Sequence, residues 1–302
     1  MSAATDTLWP TKTRDVLNHH QDSTNWDSIT LREGDVVAAN WAKAGITWLQ
    51  QIIVQLLNDG GPDVHCGGNV VWPDWWTIDK AQLREWTDSI PGRRVFKCHL
   101  PADSLNLSPL ARYIYIGRDA RDVVWSLHPH IWNYTQELID VVNRAPHRDW
   151  PDWPGAAEDI HRFYADWLER DGHPYWSFWS NVQSWWDVRH LPNVMLVHHQ
   201  ALAADREGQI RRIADFLGVE PCPEAWGRIL RHTSFDWMKA NPDRLLPIHS
   251  FKDQGASFMN KGVNGRWRDV LSSAEIARCD EEAARNLTPG CARWLATGEG
   301  EA

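Results

Sequence analysis

The sequence predicts an α/β fold: a single domain over residues 1–302 with a central parallel sheet and helices on both faces. Three observations lead there. Short strand-like runs at 36–39, 95–97, 113–116 and 194–197 alternate with segments of helical periodicity, the order expected of parallel strands joined by helical crossovers. The first run, Val36-Val37-Ala38-Ala39, is apolar at every position, as a strand covered on both sides must be. Residues 40–48, Asn40-Trp41-Ala42-Lys43-Ala44-Gly45-Ile46-Thr47-Trp48, join that strand to an amphipathic helix through a loop carrying one lysine.

The turn pair Gly34-Asp35 opens the first strand, and the helix after it places Trp48, Leu49, Ile52, Ile53, Leu56 and Leu57 on one side, with Gln50, Gln51 and Gln55 opposite. Backbone N–H groups at a helix start lack internal partners and sit at the positive end of the dipole, so a phosphate or sulfate is held there; Lys43 adds a point charge. An ordinary strand-to-helix connection with a solvated lysine fits the same residues. The next strand ends in Lys97-Cys98-His99-Leu100-Pro101, where Pro101 turns the chain outward. Alternation along extended backbone puts Lys97 and His99 on one face and Cys98 on the other, which disfavours a Cys98–His99 nucleophile pair. A structural histidine is the plain alternative.

The third strand runs into Gly117-Arg118-Asp119, where Asp119 caps a helix and Arg118 offers a planar donor fork suited to phosphate. Ser126 lies about two turns on, and the simpler reading pairs Arg118 with Asp122. Trp176, Trp179, Trp185 and Trp186 have roughly helical spacing, as does a later helix from about 207 to 217 with Gly218 as its stop. Residues 145–156 read as a long surface loop. Residues 257–268 mix glycines with cations, as a loop over a phosphate does and as ordinary exposed loops also do.

Composition narrows the function. A net charge of -9 argues against a general nucleic-acid binder, so an anionic ligand must be small and met by a local basic cluster. The first thirty residues hold no continuous apolar segment, and glutamines interrupt the longest later one, which reads as a soluble cytoplasmic protein with no membrane partner. Five scattered cysteines, none spaced C-x-x-C, suit neither a disulfide framework nor a thiolate zinc site. The 21 tryptophans belong mostly to the core, although an aromatic binding module for sugars or flat ligands remains a rival class.

Together these segments resemble the cytosolic-type sulfotransferase family, whose pattern is a Pro-Lys-Ser-Gly-Thr-Thr-Trp loop, a Lys-Thr-His-Leu-Pro strand end, an Arg and a Ser eight residues apart, and an Arg-Lys-Gly-x-x-Gly-x-Trp loop. Counterparts of all four occur in order, and His232-Thr233-Ser234-Phe235-Asp236-Trp237-Met238-Lys239-Ala240-Asn241-Pro242 is similar to that family's Thr-Ser-Phe-x-x-Met-Lys-x-Asn-Pro stretch. The resemblance spans about residues 25–275. It implies a P-loop-like phosphosulfate site and transfer of a sulfuryl group from 3'-phosphoadenosine 5'-phosphosulfate (PAPS), leaving 3',5'-bisphosphoadenosine (PAP), to a small-molecule hydroxyl or amine without a metal. By resemblance His99 is the general base, and Lys43, assisted by Lys97, steadies charge on the bridging oxygen. Lys43, Ala44, Gly45, Ile46, Thr47 and Trp48 form the phosphosulfate loop, with Trp48 stacking on adenine. Arg118 and Ser126 clamp the 3'-phosphate; Thr233, Phe235 and Met238 hold the adenine; Lys261 and Gly262 close over the phosphate.

Several positions depart from the pattern. Ala44 and Ile46 replace phosphate-facing hydroxyls, Asn260 stands where the family has arginine, and His199 aligns with a tyrosine near the adenine, so weaker cofactor affinity is expected. The family's dimer motif, which would fall on Arg268, Ser272, Ser273 and Ala277, is not retained. Trp72, Trp75, Trp76, Trp132 and Phe251 are candidates for an acceptor pocket suited to an aromatic or apolar molecule, a glycan not being excluded. A P-loop kinase or nucleotide hydrolase is the other rival, but no G-x-x-x-x-G-K-[ST] occurs.

Overall fold

A computed structural model describes residues 9–146, 159–256, 258–259 and 262–300. The four predicted strands form one parallel sheet: β1 (Val36–Ala39), β2 (Val95–Cys98), β3 (Arg112–Gly117) and β4 (Val194–His198), in the order β2-β1-β3-β4. Every residue of β1 and β4 is buried, as their almost wholly apolar sequences require. Val36 and Ala38 face a cluster with Leu49, Ile52, Ile53, Ile210, Ile213 and Leu217. Val37 and Ala39 face the opposite one, with Phe96, Tyr113, Tyr115, Val124, Leu127 and Trp185.

The helices covering the sheet include α1 (Ile46–Leu57), α2 (Ala120–Trp132), α3 (Phe178–Asp187), α4 (Arg206–Leu217), α5 (Phe235–Ala240) and α6 (Pro289–Thr297). Asp119 caps α2 by accepting the Arg121 N–H, and Gly218 ends α4 in a left-handed conformation at φ 63°. Three of the tryptophans predicted to be helical lie within α3, and Trp176 precedes it. Gly117 permits the close approach of α6: a Cβ there would sit 2.3 Å from the Trp294 ring. Most of the surface loop expected at 145–156 lies outside the described residues. Among the described residues, no helix is long and apolar enough to cross a membrane.

The register matters most for function. Ala39 pairs with both Cys98 and Tyr115, and Gly117 with His198. The first residues beyond the four strands, His99, Asn40, Arg118 and His199 in sheet order, therefore share one edge, the carboxyl edge at which open parallel sheets bind ligands.

Candidate active site

The loop from β1 to α1 is held from below. Asn40 donates its N–H to the Cys98 carbonyl at 3.1 Å, and the fully buried Trp41 donates its indole N–H to the Trp176 carbonyl at 3.0 Å. Lys43 and Gly45 then take left-handed conformations, at φ 64° and 113°. Gly45 is required twice over, since a Cβ at that φ would also stand 2.9 Å from the His199 ring. It precedes α1, and no side chain caps the helix, so the first-turn N–H groups face the cleft unsatisfied by the chain's own side chains.

Two lysines border this loop. The Lys43 ammonium sits 4.0 Å over the Phe258 ring, and burial, aided by the positive charges of Arg118 and Lys97, pulls its pKa down to about 7. The Lys97 ammonium sits 3.7 Å over Trp72; burial lowers it to about 8, with Asp74 opposing the shift. Both are cations that an anionic ligand would recharge.

Arg118 does not take Asp122 as its hydrogen-bond partner. Its Nε and Nη2 donate to Asn264 Oδ1 at 3.1 and 2.8 Å and its Nη1 to the Lys43 carbonyl at 3.3 Å, while Asp122 accepts the Gly265 N–H at 2.7 Å. Ser126, on α2, lines the same cleft as Arg118, as the eight-residue spacing anticipates. Opposite them, Trp48 donates its indole N–H to the Thr233 carbonyl at 2.9 Å and meets the His199 ring edge-on at 5.6 Å between centroids. Phe235 and Met238 complete that apolar wall, and Gly262 lies against it, where a Cβ would meet the Phe235 ring at 2.7 Å. Thr233 contributes only its backbone, because its hydroxyl is buried and donates to the Ile229 carbonyl at 2.8 Å. Ala44 is buried beneath the loop; Ile46 and Thr47 line the cleft. Asn260 and Lys261 lie outside the described residues. The cleft is open at its mouth and runs from Lys43 and Thr47 to Arg118, Ser126 and Phe235.

His99 lies apart from this cleft's lining. Its ring is buried between Trp72 and Trp176, at 5.6 and 5.7 Å between centroids. Its Nδ1 is 3.3 Å from the Asn40 carbonyl, which can only accept, so Nδ1 carries the hydrogen and Nε2 the lone pair. Burial, then Lys97 and Lys43, hold the imidazole well below its ordinary pKa, so it is neutral at neutral pH. The fully buried Asp74 fixes the backbone here, accepting the His99 N–H and, at 2.7 Å, the Trp26 indole N–H.

Of the acceptor-pocket candidates, Phe251 lines the cleft. Trp72 and Trp75 form a separate aromatic group on the His99 side, their rings 5.1 Å apart, and Trp76 is tied to it by its N–H bond to the His20 carbonyl. Trp132 is 47% exposed at the end of α2 and belongs to neither group. Sequence reasoning missed Asn264, although the Gly262-Val263-Asn264-Gly265 turn was in view. It also missed His130 and Phe258, whose place depends on packing against distant residues.

A family model for the sulfotransferase domain matches residues 33–288. A glycolipid sulfotransferase from Mycobacterium bovis is 26% identical over 302 aligned residues, covering 92% of each chain. Sulfotransferase 1B1 from Mus musculus is 28% identical, covering 85% of this chain and 84% of its own. Mouse sulfotransferase SULT7A1, solved in complex with PAP, superposes with a TM-score of 0.68 at 22% identity, covering 91% of this chain and 93% of that one. The match over most of the chain, with its strand ends and anion loop in place, makes this protein a member of the sulfotransferase family, enzymes that transfer a sulfuryl group to an acceptor.

Proposed function

We propose that the cleft binds PAPS and that the chain passes its sulfuryl group directly to a hydroxyl or amine of a small aromatic or apolar acceptor. The observation that carries this reading is the convergence of Lys43, the Arg118 fork and the uncapped start of α1 on one cleft with an apolar wall. Bound there, PAPS supplies an activated sulfuryl group on a phosphate leaving group. Lys43 and the first-turn N–H groups meet the charge that builds on the bridging oxygen, and Lys97 reinforces it from beneath Trp72. Arg118 and Ser126 fit a second phosphate in the same cleft, while Trp48, Phe235 and Met238 suit a flat base.

His99 takes the acceptor's proton through Nε2, the nitrogen that the Asn40 contact leaves with its lone pair. Its neighbours Trp72 and Trp176 offer flat apolar surface, which supports an aromatic or apolar acceptor. No covalent enzyme intermediate is needed, so rate comes from alignment and electrostatics.

Thermal unfolding with PAP, ATP or AMP tests the reading. A ligand at 100 times its Kd adds about 2.7 kcal/mol to stability, and stabilisation selective for PAP is expected. No shift with millimolar PAP, or an equal shift with ATP, would remove PAPS as the donor.

A further inference from the structure

We propose that Asn264 is a positioning residue that holds His199 in its neutral Nε2–H tautomer, so that the cleft offers a hydrogen-bond donor beside the Gly45 loop. The tautomer follows from contacts within the chain; what the donor is for rests on the proposed nucleotide site.

The assignment comes from counting donors and acceptors. Arg118 Nε and Nη2 carry only hydrogens, and both are directed at the same Asn264 atom, at 3.1 and 2.8 Å. Only a carbonyl oxygen accepts both. The remaining terminal atom of that amide is then the NH₂, and it lies 3.2 Å from His199 Nδ1. A donor facing a ring nitrogen requires a lone pair on that nitrogen, so the hydrogen of a neutral His199 resides on Nε2. Arginine keeps its protons, so the amide has no reason to flip. The next residue, Gly265, is pinned to α2 by its N–H bond to Asp122 at 2.7 Å, which keeps Asn264 between the two side chains.

His198 shows the contrast. Its Nδ1 accepts the Gln200 N–H at 3.3 Å, and its Nε2–H is used internally on the Leu295 carbonyl at 3.0 Å. His199 lines the cleft instead, and its Cδ2–Nε2 edge is the one turned to Gly45, where a Cβ would lie 2.9 Å from Cδ2 and 3.8 Å from Nε2. Burial, then Arg118 and His198, keep the ring well below its ordinary pKa, consistent with a neutral donor. The matching ligand feature is a lone-pair acceptor, either a purine ring nitrogen or a phosphate oxygen.

Selective ¹⁵N-histidine labelling of the ligand-free protein reads the tautomer, with the His199 signals assigned by their loss in His199→Phe. A bare Nδ1 and a protonated Nε2 are expected. In Asn264→Asp the carboxylate can only accept, so Nδ1 should become protonated; in Asn264→Leu the fixed tautomer should be lost. A protonated Nδ1 in the wild type, or no change at Nδ1 in Asn264→Asp, overturns the inference.

Binding then tests the donor. His199→Phe should weaken PAP about tenfold, the effect of one hydrogen bond. The same loss with ribose 3',5'-bisphosphate assigns a phosphate oxygen as acceptor, and loss with PAP alone assigns a ring nitrogen. Unchanged affinity for both removes the donor role. A wild type that shows the expected tautomer but binds no PAP sinks the nucleotide site and leaves the Asn264 assignment standing.

Discussion

Raising the pH should weaken PAP binding, because Lys43 must regain a proton to meet its ligand. In the free protein, burial first, and then Arg118 and Lys97, bring the Lys43 pKa from 10.5 to about 7. An anion beside it favours the ammonium, so the bound pKa lies above the free one. Below about pH 7 the lysine is already charged and affinity is full; above it, each binding event takes up a proton and affinity falls as pH rises. Each pH unit costs at most about 1.36 kcal/mol, so at pH 9 the loss approaches about 2.7 kcal/mol, or roughly 100-fold. Lys97, lowered to about 8, adds a second uptake above that pH. A phosphate's second ionisation, near about pH 6, is complete across this window and does not interfere. Titration calorimetry at pH 8.5 in two buffers of different ionisation enthalpy should return an uptake of about one to two protons. Lys43→Met should lower that number by about one. Affinity that stays flat from pH 7 to 9, with no buffer dependence, would refute the argument that ligand binding recharges a buried lysine.

Three further outcomes are expected. His99→Ala should keep PAP binding while turnover falls roughly 10²- to 10⁴-fold; unchanged turnover in a steady-state assay would remove His99 from the chemistry. Arg118→Ala should weaken PAP far more than AMP, which lacks the 3'-phosphate, and equal losses for the two ligands would make Arg118 structural. Gly45→Ala places a Cβ 2.9 Å from His199 Cδ2 at φ 113°, so thermal unfolding should show a loss of about 1–3 kcal/mol together with weaker PAP binding. A wild-type-like variant would mean that the loop relaxes freely.

Much of the fold was legible in local pattern. β1 and β4 are apolar at nearly every position because both faces are covered, and such runs stand out in any sequence. The α4 stop at Gly218 and the Asp119 cap were readable because a cap is a short-range bond between near neighbours. The anion loop was readable as chemistry, and the family match supports it over the kinase and binding-module readings. Pairing was harder to foresee. Arg118 with Asp122, four residues apart, was the obvious local ion pair; the structure gives Arg118 to Asn264, 146 residues away, and Asp122 to the Gly265 N–H. Trp132 looked like pocket lining by residue type, yet it stands exposed at a helix end.

The sequence by itself determined the four strands, the helix start proposed to receive an anion, and the cations and histidines proposed to serve it. These depend on periodicity, caps and residue chemistry, all of which act over a few residues. Only the tertiary structure decided that His99, Asn40, Arg118 and His199 share one edge, that Lys43 loses much of its affinity for a proton, and which nitrogen of His99 is bare. Strand register, desolvation and hydrogen-bond partnership are set by groups far away in the chain, and no local pattern encodes them.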